Sequence, residues 1–172
     1  MALVLAAAMA QAAENVDPAP QRIKAAFLSK FPAYVEWPAQ AFRKPESPLV
    51  IGVSGAEAIA RELAQAVAGR TVAGRAMQVH RIAPDEDIDD CCHVLYVGAD
   101  TDRARTTSLL AHARGRAMLT VTDLDEQPPG SVINFLLVDN HVRFDISRPA
   151  AEHNGLQIRA QLLAVARQAS AR

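Results

Sequence analysis

The stretch SVINFLLVDNHVRFDI, residues 131–146, sets two strand-forming runs on either side of Asp139-Asn140. Asp and Asn both tolerate the left-handed backbone that a two-residue hairpin turn demands at its central positions. The turn fixes the register. With Val138 opposite His141, the pairs run Leu137 with Val142, Phe135 with Phe144 and Ile133 with Ile146, so the apolar partners share one face. The other face pairs Leu136 with Arg143 and Asn134 with Asp145. A slip of one residue would set Phe144 against a polar neighbour, so hydrophobic pattern and turn chemistry support each other. The plain reading of the polar face is an antiparallel edge whose charges meet water or block edge aggregation.

Working outward, the preceding segments alternate strand and helix. A helix is expected over QRIKAAFLSKF, residues 21–31, with Pro20 in its opening turn and Ile23, Phe27 and Phe31 recurring beside Ala26 as one apolar stripe. Pro32 ends or kinks it, and Trp37-Pro38 leaves helical geometry. Trp37, the single tryptophan, reads most simply as a core anchor. Residues 49–53 form a short apolar strand that runs through Ser54-Gly55 into a helix over about 56–68, carrying Ile59, Leu63 and Val67 on one side. The turn-rich connection 69–74 leads to a strand over 77–82, an acidic run follows, and residues 92–97 form a buried-type strand. Thr101 or Asp102 caps the next helix, which reaches about Arg114; Gly115 stops it, and residues 117–122 make a further strand. After the hairpin, Ser147 caps a short helix beginning near Pro149, Asn154-Gly155 has the form of a C-terminal cap, and a last helix is expected from about 157 to 168 with Ile158, Leu162, Val165 and Ala166 inward. Right-handed crossovers then place helices on both sheet faces. The predicted fold is a three-layer α/β/α domain over residues 20–170, its sheet mixed, mostly parallel and finished by the antiparallel hairpin.

The totals bound the function classes. Eighteen basic and nineteen acidic residues give a formal charge of −1 with no long block of either sign, so an electrostatic grip on nucleic acid is not indicated. The five histidines are scattered without metal-ligand spacing, and no cofactor or metal is expected. Residues 1–12 are apolar and small, and Ala10-Gln11-Ala12 has the pattern that precedes a signal-peptidase cut. This segment reads as an export signal without its basic start, as a truncated signal would. Export would carry the adjacent Cys91 and Cys92 into an oxidising compartment, where a free thiol or an intermolecular bond is favoured over a strained bridge between neighbours. Past residue 12 no run approaches the ~20 apolar residues that span a bilayer.

Lys24-Ala-Ala-Phe27-Leu28 continuing to Phe31, Val35-Glu36-Trp37-Pro38, Cys92-His93-Val94-Leu95, Ile133-Asn134-Phe135, Asn140 with Val142-Arg143-Phe144, and Leu162-Leu163 together resemble the YfiR (YfiR/HmsC-like) family of secreted bacterial proteins. The resemblance covers nearly all of the chain past the export signal. It implies an α/β periplasmic protein, often dimeric, that restrains an inner-membrane diguanylate cyclase by binding its periplasmic sensor domain, thereby lowering cyclic-di-GMP and biofilm formation. The chain departs from the family pattern in two places. The first strand, Val50-Ile-Gly52-Val, lacks a cysteine that relatives often bridge to the one before His-Val-Leu, and Pro32 interrupts a helix that usually runs on to Glu-Trp-Pro.

Two functional readings follow. In the first the protein works by contact, without catalysis, and the surface around Arg143, Asp145 and Glu152 is the expected partner-binding region, because a rigid hairpin beside a short helix offers a preformed patch. No nucleophile elbow, metal set or nucleotide loop competes with this reading. In the second, a small ligand binds, or a cryptic enzyme acts, at the carboxyl ends of the parallel strands, which would bring together Ser54, Gly55, Gly98, Thr101 and Asp123. Partnership with a different envelope receptor stays open beside both.

Overall fold

The computed structural model describes residues 19–89 and 91–170, and the expected export signal lies outside them. An eight-stranded sheet has the order β10-β8-β7-β6-β5-β2-β4-β3. Its strands are β2 (Leu49–Ser54), β3 (Thr71–Val72), β4 (Arg75–Arg81), β5 (Val94–Val97), β6 (Leu119–Thr122), β7 (Ile133–Val138), β8 (His141–Ser147) and β10 (Gln168–Ser170). Neighbours are parallel except at the β7–β8 hairpin and at β3–β4. A separate two-stranded ladder joins β1 (Val35–Glu36) to β9 (Gln157–Ile158). The helices are α1 (Pro20–Lys30), α2 (Glu57–Val67), α3 (Arg103–Ala113), α4 (Arg148–His153) and α5 (Ala160–Val165).

The hairpin has the expected register at all six pairs from Ile133↔Ile146 to Val138↔His141, and Asp139 and Asn140 both take positive φ, 49° and 61°. Alternation in the central strands sorts the side chains between two layers. Val94 and Tyr96 of β5 join the larger core with Leu28 of α1, Phe31 at its C-cap, and Ile59 and Leu63 of α2. Leu95 and Val97 point the other way, onto Leu109 and Ala113 of α3 and the buried Ile88. Continuous apolar runs are what a strand covered on both faces requires. The three-layer α/β/α arrangement follows, with α1 and α2 packed together on one face and α3 on the other.

Helix signals in the sequence are met locally. The Asp102 side chain accepts from the Arg105 N–H at the start of α3, and the Ser147 side chain accepts from the Ala150 N–H at the start of α4. Three expectations about these elements need correction. The stripe of α1 is rotated: Lys24, Ala25, Leu28 and Phe31 are buried, Ile23 and Phe27 only partly so, and Ala26 is exposed, because α1 packs against α2 as well as the sheet. The 69–74 connection is an antiparallel β3–β4 turn, with Ala73 and Gly74 at positive φ. The single helix expected over 157–168 is three elements, β9, α5 and β10, because the backbone of residues 157–158 pairs with β1 and that of 168–170 pairs with β8. Val165 is accordingly 65% exposed and only Leu162 of that helix is fully buried.

The polar face of the hairpin also differs from the plain reading. At its base Asn134 is buried and bonded to Thr122 Oγ1 and to both backbone groups of Leu124, while Asp145 is paired with Arg167 of the returning chain. Towards its tip the hairpin leaves the sheet. Strand β6 pairs with β7 only as far as Asn134 and β10 pairs with β8 only from Asp145 onward, so residues 136–143 form a two-stranded arm with no strand beside it among the described residues. Leu137, on the apolar face, is 56% exposed there.

Candidate functional site

The carboxyl ends of β2 and β5 are where an open α/β sheet reverses strand order and where ligands ordinarily enter. Here the two loops close on each other. The Gly98 N–H donates to Ser54 O (2.8 Å), the Asp100 N–H to Gly55 O (3.3 Å), and the Ser54 and Thr101 hydroxyls lie 3.4 Å apart. Gly55 has φ +60°, and a Cβ there would stand 2.1 Å from Thr101 Oγ1 and 2.5 Å from the Thr101 nitrogen. The crevice between these strands is filled by protein. Ser54, Gly55, Gly98 and Thr101 are thus brought together, with a shallow hollow of about 240 Å³ beside them on the β4 side, lined by Gly55, Glu57, Arg81 and Asp100. Gly55→Ala is expected to lower stability by about 2–3 kcal/mol, since strained backbone and a backbone clash coincide. Thermal unfolding measures it, and a loss below about 0.5 kcal/mol would show that the loops yield.

Asp123, the remaining residue of that set, faces elsewhere. Its Oδ2 receives Lys24 Nζ of α1 at 2.6 Å and the Tyr96 hydroxyl at 3.1 Å. Lys24 is 8% exposed. Burial, then the Asp123 charge, push the Tyr96 phenol well above its ordinary range, so it stays protonated and donates. This trio fastens α1 to the sheet and commits the Oδ2 of the carboxylate to two donors.

Of the three residues expected at a partner surface, Arg143 is exposed on the hairpin arm. Glu152 is exposed on α4, with its Oε1 3.8 Å from Arg148 Nη2. A hollow of about 360 Å³ lined by Ala151, Leu156 and Ile158 opens beside that pair. Asp145 is 9% exposed. Its carboxylate takes both the Nε (3.0 Å) and Nη2 of Arg167, together with the Gln168 N–H (3.1 Å), a bidentate grip that seats β10. Of that set Arg143 and Glu152 are at the surface, the former on the arm near the exposed Val138 and the latter on α4, and Asp145 is not.

A family model described as YfiR/HmsC-like matches residues 21–167. The chain belongs to the YfiR/HmsC-like family. No curated protein matches it. In this YfiR/HmsC-like chain the matched span runs from the first turn of α1 to the arginine that grips Asp145, so every strand of the sheet except the edge strand β10 lies within it. No helix among the described residues is long and apolar enough to cross a membrane.

Sequence reasoning missed a cavity at the opposite, amino end of the parallel strands. It measures about 530 Å³ and is lined by the 40–48 loop, Val50, the Cys91-Cys92-His93 turn and residues 116–118. The His93 ring is fixed at its wall: the Val50 N–H donates to Nδ1 (3.2 Å), which leaves Nε2–H to donate to Ala41 O (3.1 Å). Burial holds this imidazole below its usual range, so it is neutral. Phe42 stacks on the same ring (4.4 Å), Trp37 meets both edge-on, and the Arg75 guanidinium lies 3.7 Å over Phe42 while bonding Lys44 O and Ser47 O. Trp37 is an anchor of this loop, its indole N–H directed at Pro32 O. The signal available beforehand was the Cys-Cys-His triplet; the loop across from it is 43 or more residues away in the chain.

Proposed function

We propose that this protein is a non-enzymatic periplasmic regulator that binds the periplasmic sensor domain of an inner-membrane diguanylate cyclase and holds the enzyme inactive, lowering cyclic-di-GMP and biofilm formation. The observation that carries this reading is the family match over nearly the whole folded chain. The mechanism is a population shift. A regulator that binds the inactive form about 10⁴-fold more tightly than the active one moves the equilibrium almost completely, and no bond need be made or broken.

The hairpin arm suits this role. It projects beyond the sheet on a rigid base, with Val138 and Arg143 exposed on one face and Leu137 on the other, and arginine is among the residues enriched at interface anchors. Asp145 supports the arm from beneath, through Arg167, and does not itself meet the partner.

Removing the protein from its host should raise cellular cyclic-di-GMP several-fold and increase surface attachment. The exported protein should restore both, and the same chain retained in the cytoplasm should restore neither. Unchanged cyclic-di-GMP after removal would sink the proposal. Within it, Leu137→Ser with Arg143→Glu should weaken binding to the sensor domain roughly tenfold to a hundredfold with the thermal midpoint held, as loss of one or two anchor contacts does. Binding unchanged in calorimetry would clear the arm of any role.

A further inference from the structure

The cavity at the amino ends of the strands holds two thiols that the proposed regulatory contact does not use. Cys91 is half-buried and Cys92 buried, and both line the cavity together with Arg43 and Arg116. Their sulfurs are 2.8 Å apart. Cys92 is seated in a notch opposite Gly52 of β2, where a Cβ added to that glycine would stand 2.8 Å from its Sγ. The position therefore holds Cys92 in place while Cys91 turns to the open side.

We propose that Cys91 is a thiol–disulfide exchange site for small disulfides that carry carboxylates, of the size and charge of oxidised glutathione. The thiolate sulfur of Cys91 attacks one sulfur of R–S–S–R′. A Cys91–S–R bond forms as the original S–S bond breaks, and R′S⁻ leaves and takes a proton from water. Cys91 is oxidised and the leaving sulfur is reduced, so the small disulfide is itself the oxidant.

Three features favour that residue and that class of reagent. The contact with Cys92 stabilises the Cys91 thiolate and holds this thiol below its ordinary range, while the same contact and burial push Cys92 above it. The exchange then stops at the mixed disulfide, because resolution would need a Cys92 thiolate and the small strained ring that neighbouring cysteines close. The cavity volume of about 530 Å³ accepts a tripeptide-sized adduct, and two guanidinium groups line it. Arg116 lies 3.3 Å from Asp89, which His112 also meets at 2.7 Å, an exposed pair that leaves the guanidinium its other N–H groups. His93 is neutral with both ring nitrogens engaged, so the cavity's positive charge is that of the arginines.

The test treats the reduced, folded protein with oxidised glutathione and, in parallel, with the uncharged hydroxyethyl disulfide. Intact mass and peptide mapping follow the products, and rates are normalised to an unstructured peptide containing the Cys-Cys pair. One adduct per chain is expected, at Cys91, retained in Cys92→Ser and lost in Cys91→Ser. Normalised, the anionic disulfide should react roughly tenfold faster than the neutral one, with the advantage falling as salt rises and disappearing in the Arg43→Ala, Arg116→Ala double variant. An adduct at Cys92, loss of two hydrogens with no adduct, absence of reaction, or equal normalised rates for the two disulfides would each overturn the proposal.

Discussion

Lys24→Ala is expected to lower the unfolding free energy by about 3–5 kcal/mol, the range found when one partner of a buried ion pair is removed. The ammonium lies 2.6 Å from Asp123 Oδ2 and is itself nearly enclosed. Without it, the carboxylate keeps only the Tyr96 hydroxyl as a neutral donor in a site that water enters poorly. The cost is that of the stranded charge more than of the lost attraction. Lys24→Met combined with Asp123→Leu should therefore recover most of the stability, because charge and counter-charge leave together. Urea unfolding of the two single variants and the double measures the coupling. A loss below about 1 kcal/mol for Lys24→Ala would show that the pair is solvated and that α1 is held by its apolar face alone.

Phe31→Ala should cost a similar 3–5 kcal/mol, through a different cause: a cavity that its neighbours cannot close. Phe31 is fully buried, stacked on Phe135 at 5.7 Å and Phe27 at 5.9 Å, and set edge-on to Phe144 at 5.1 Å. Phe135 and Phe144 are directly paired across the hairpin, so this ring joins α1 to the base of the projecting arm. Loosening it should also weaken binding of the sensor domain, since an arm without a fixed base must be ordered at the moment of contact. Phe31→Leu, which keeps most of the volume, should lose markedly less in both assays. Equal losses for alanine and leucine would point to aromatic geometry over filled space as the cause.

Much of the architecture is legible along the chain because its determinants are local. Asp139-Asn140 dictates the turn, the turn dictates the register, and alternation then assigns every apolar pair from Ile133 to Val142 to one face. The caps at Asp102 and Ser147 each act within three residues, on Arg105 and Ala150. The continuous apolar strand at 94–97 announces burial on both faces, and with it helices above and below the sheet.

Other features depend on partners far away in sequence. Asp145 looks like one charge of a solvated alternation until Arg167, 22 residues later, folds over it. The tract 157–168 has helical periodicity, yet ladders to Val35 and Asp145 claim its two ends and leave a helix only in between. Strand pairing gained at both ends outweighs helix propensities worth a few tenths of a kcal/mol per residue.

The amino-acid sequence by itself determined the hairpin, the alternation of the central strands with their helices, the family and the reading as a contact regulator, all of which rest on short-range pattern or on the set of motifs. Tertiary structure alone decided that the carboxyl-end crevice is shut by Thr101 against Gly55, that Asp123 is consumed by a lysine 99 residues away, and that Cys91 opens into a cavity walled by arginines. The physical reason is the same in each case. Space and charge compensation are properties of groups that meet only after the chain has closed loops of tens of residues, and no local preference encodes which groups those will be.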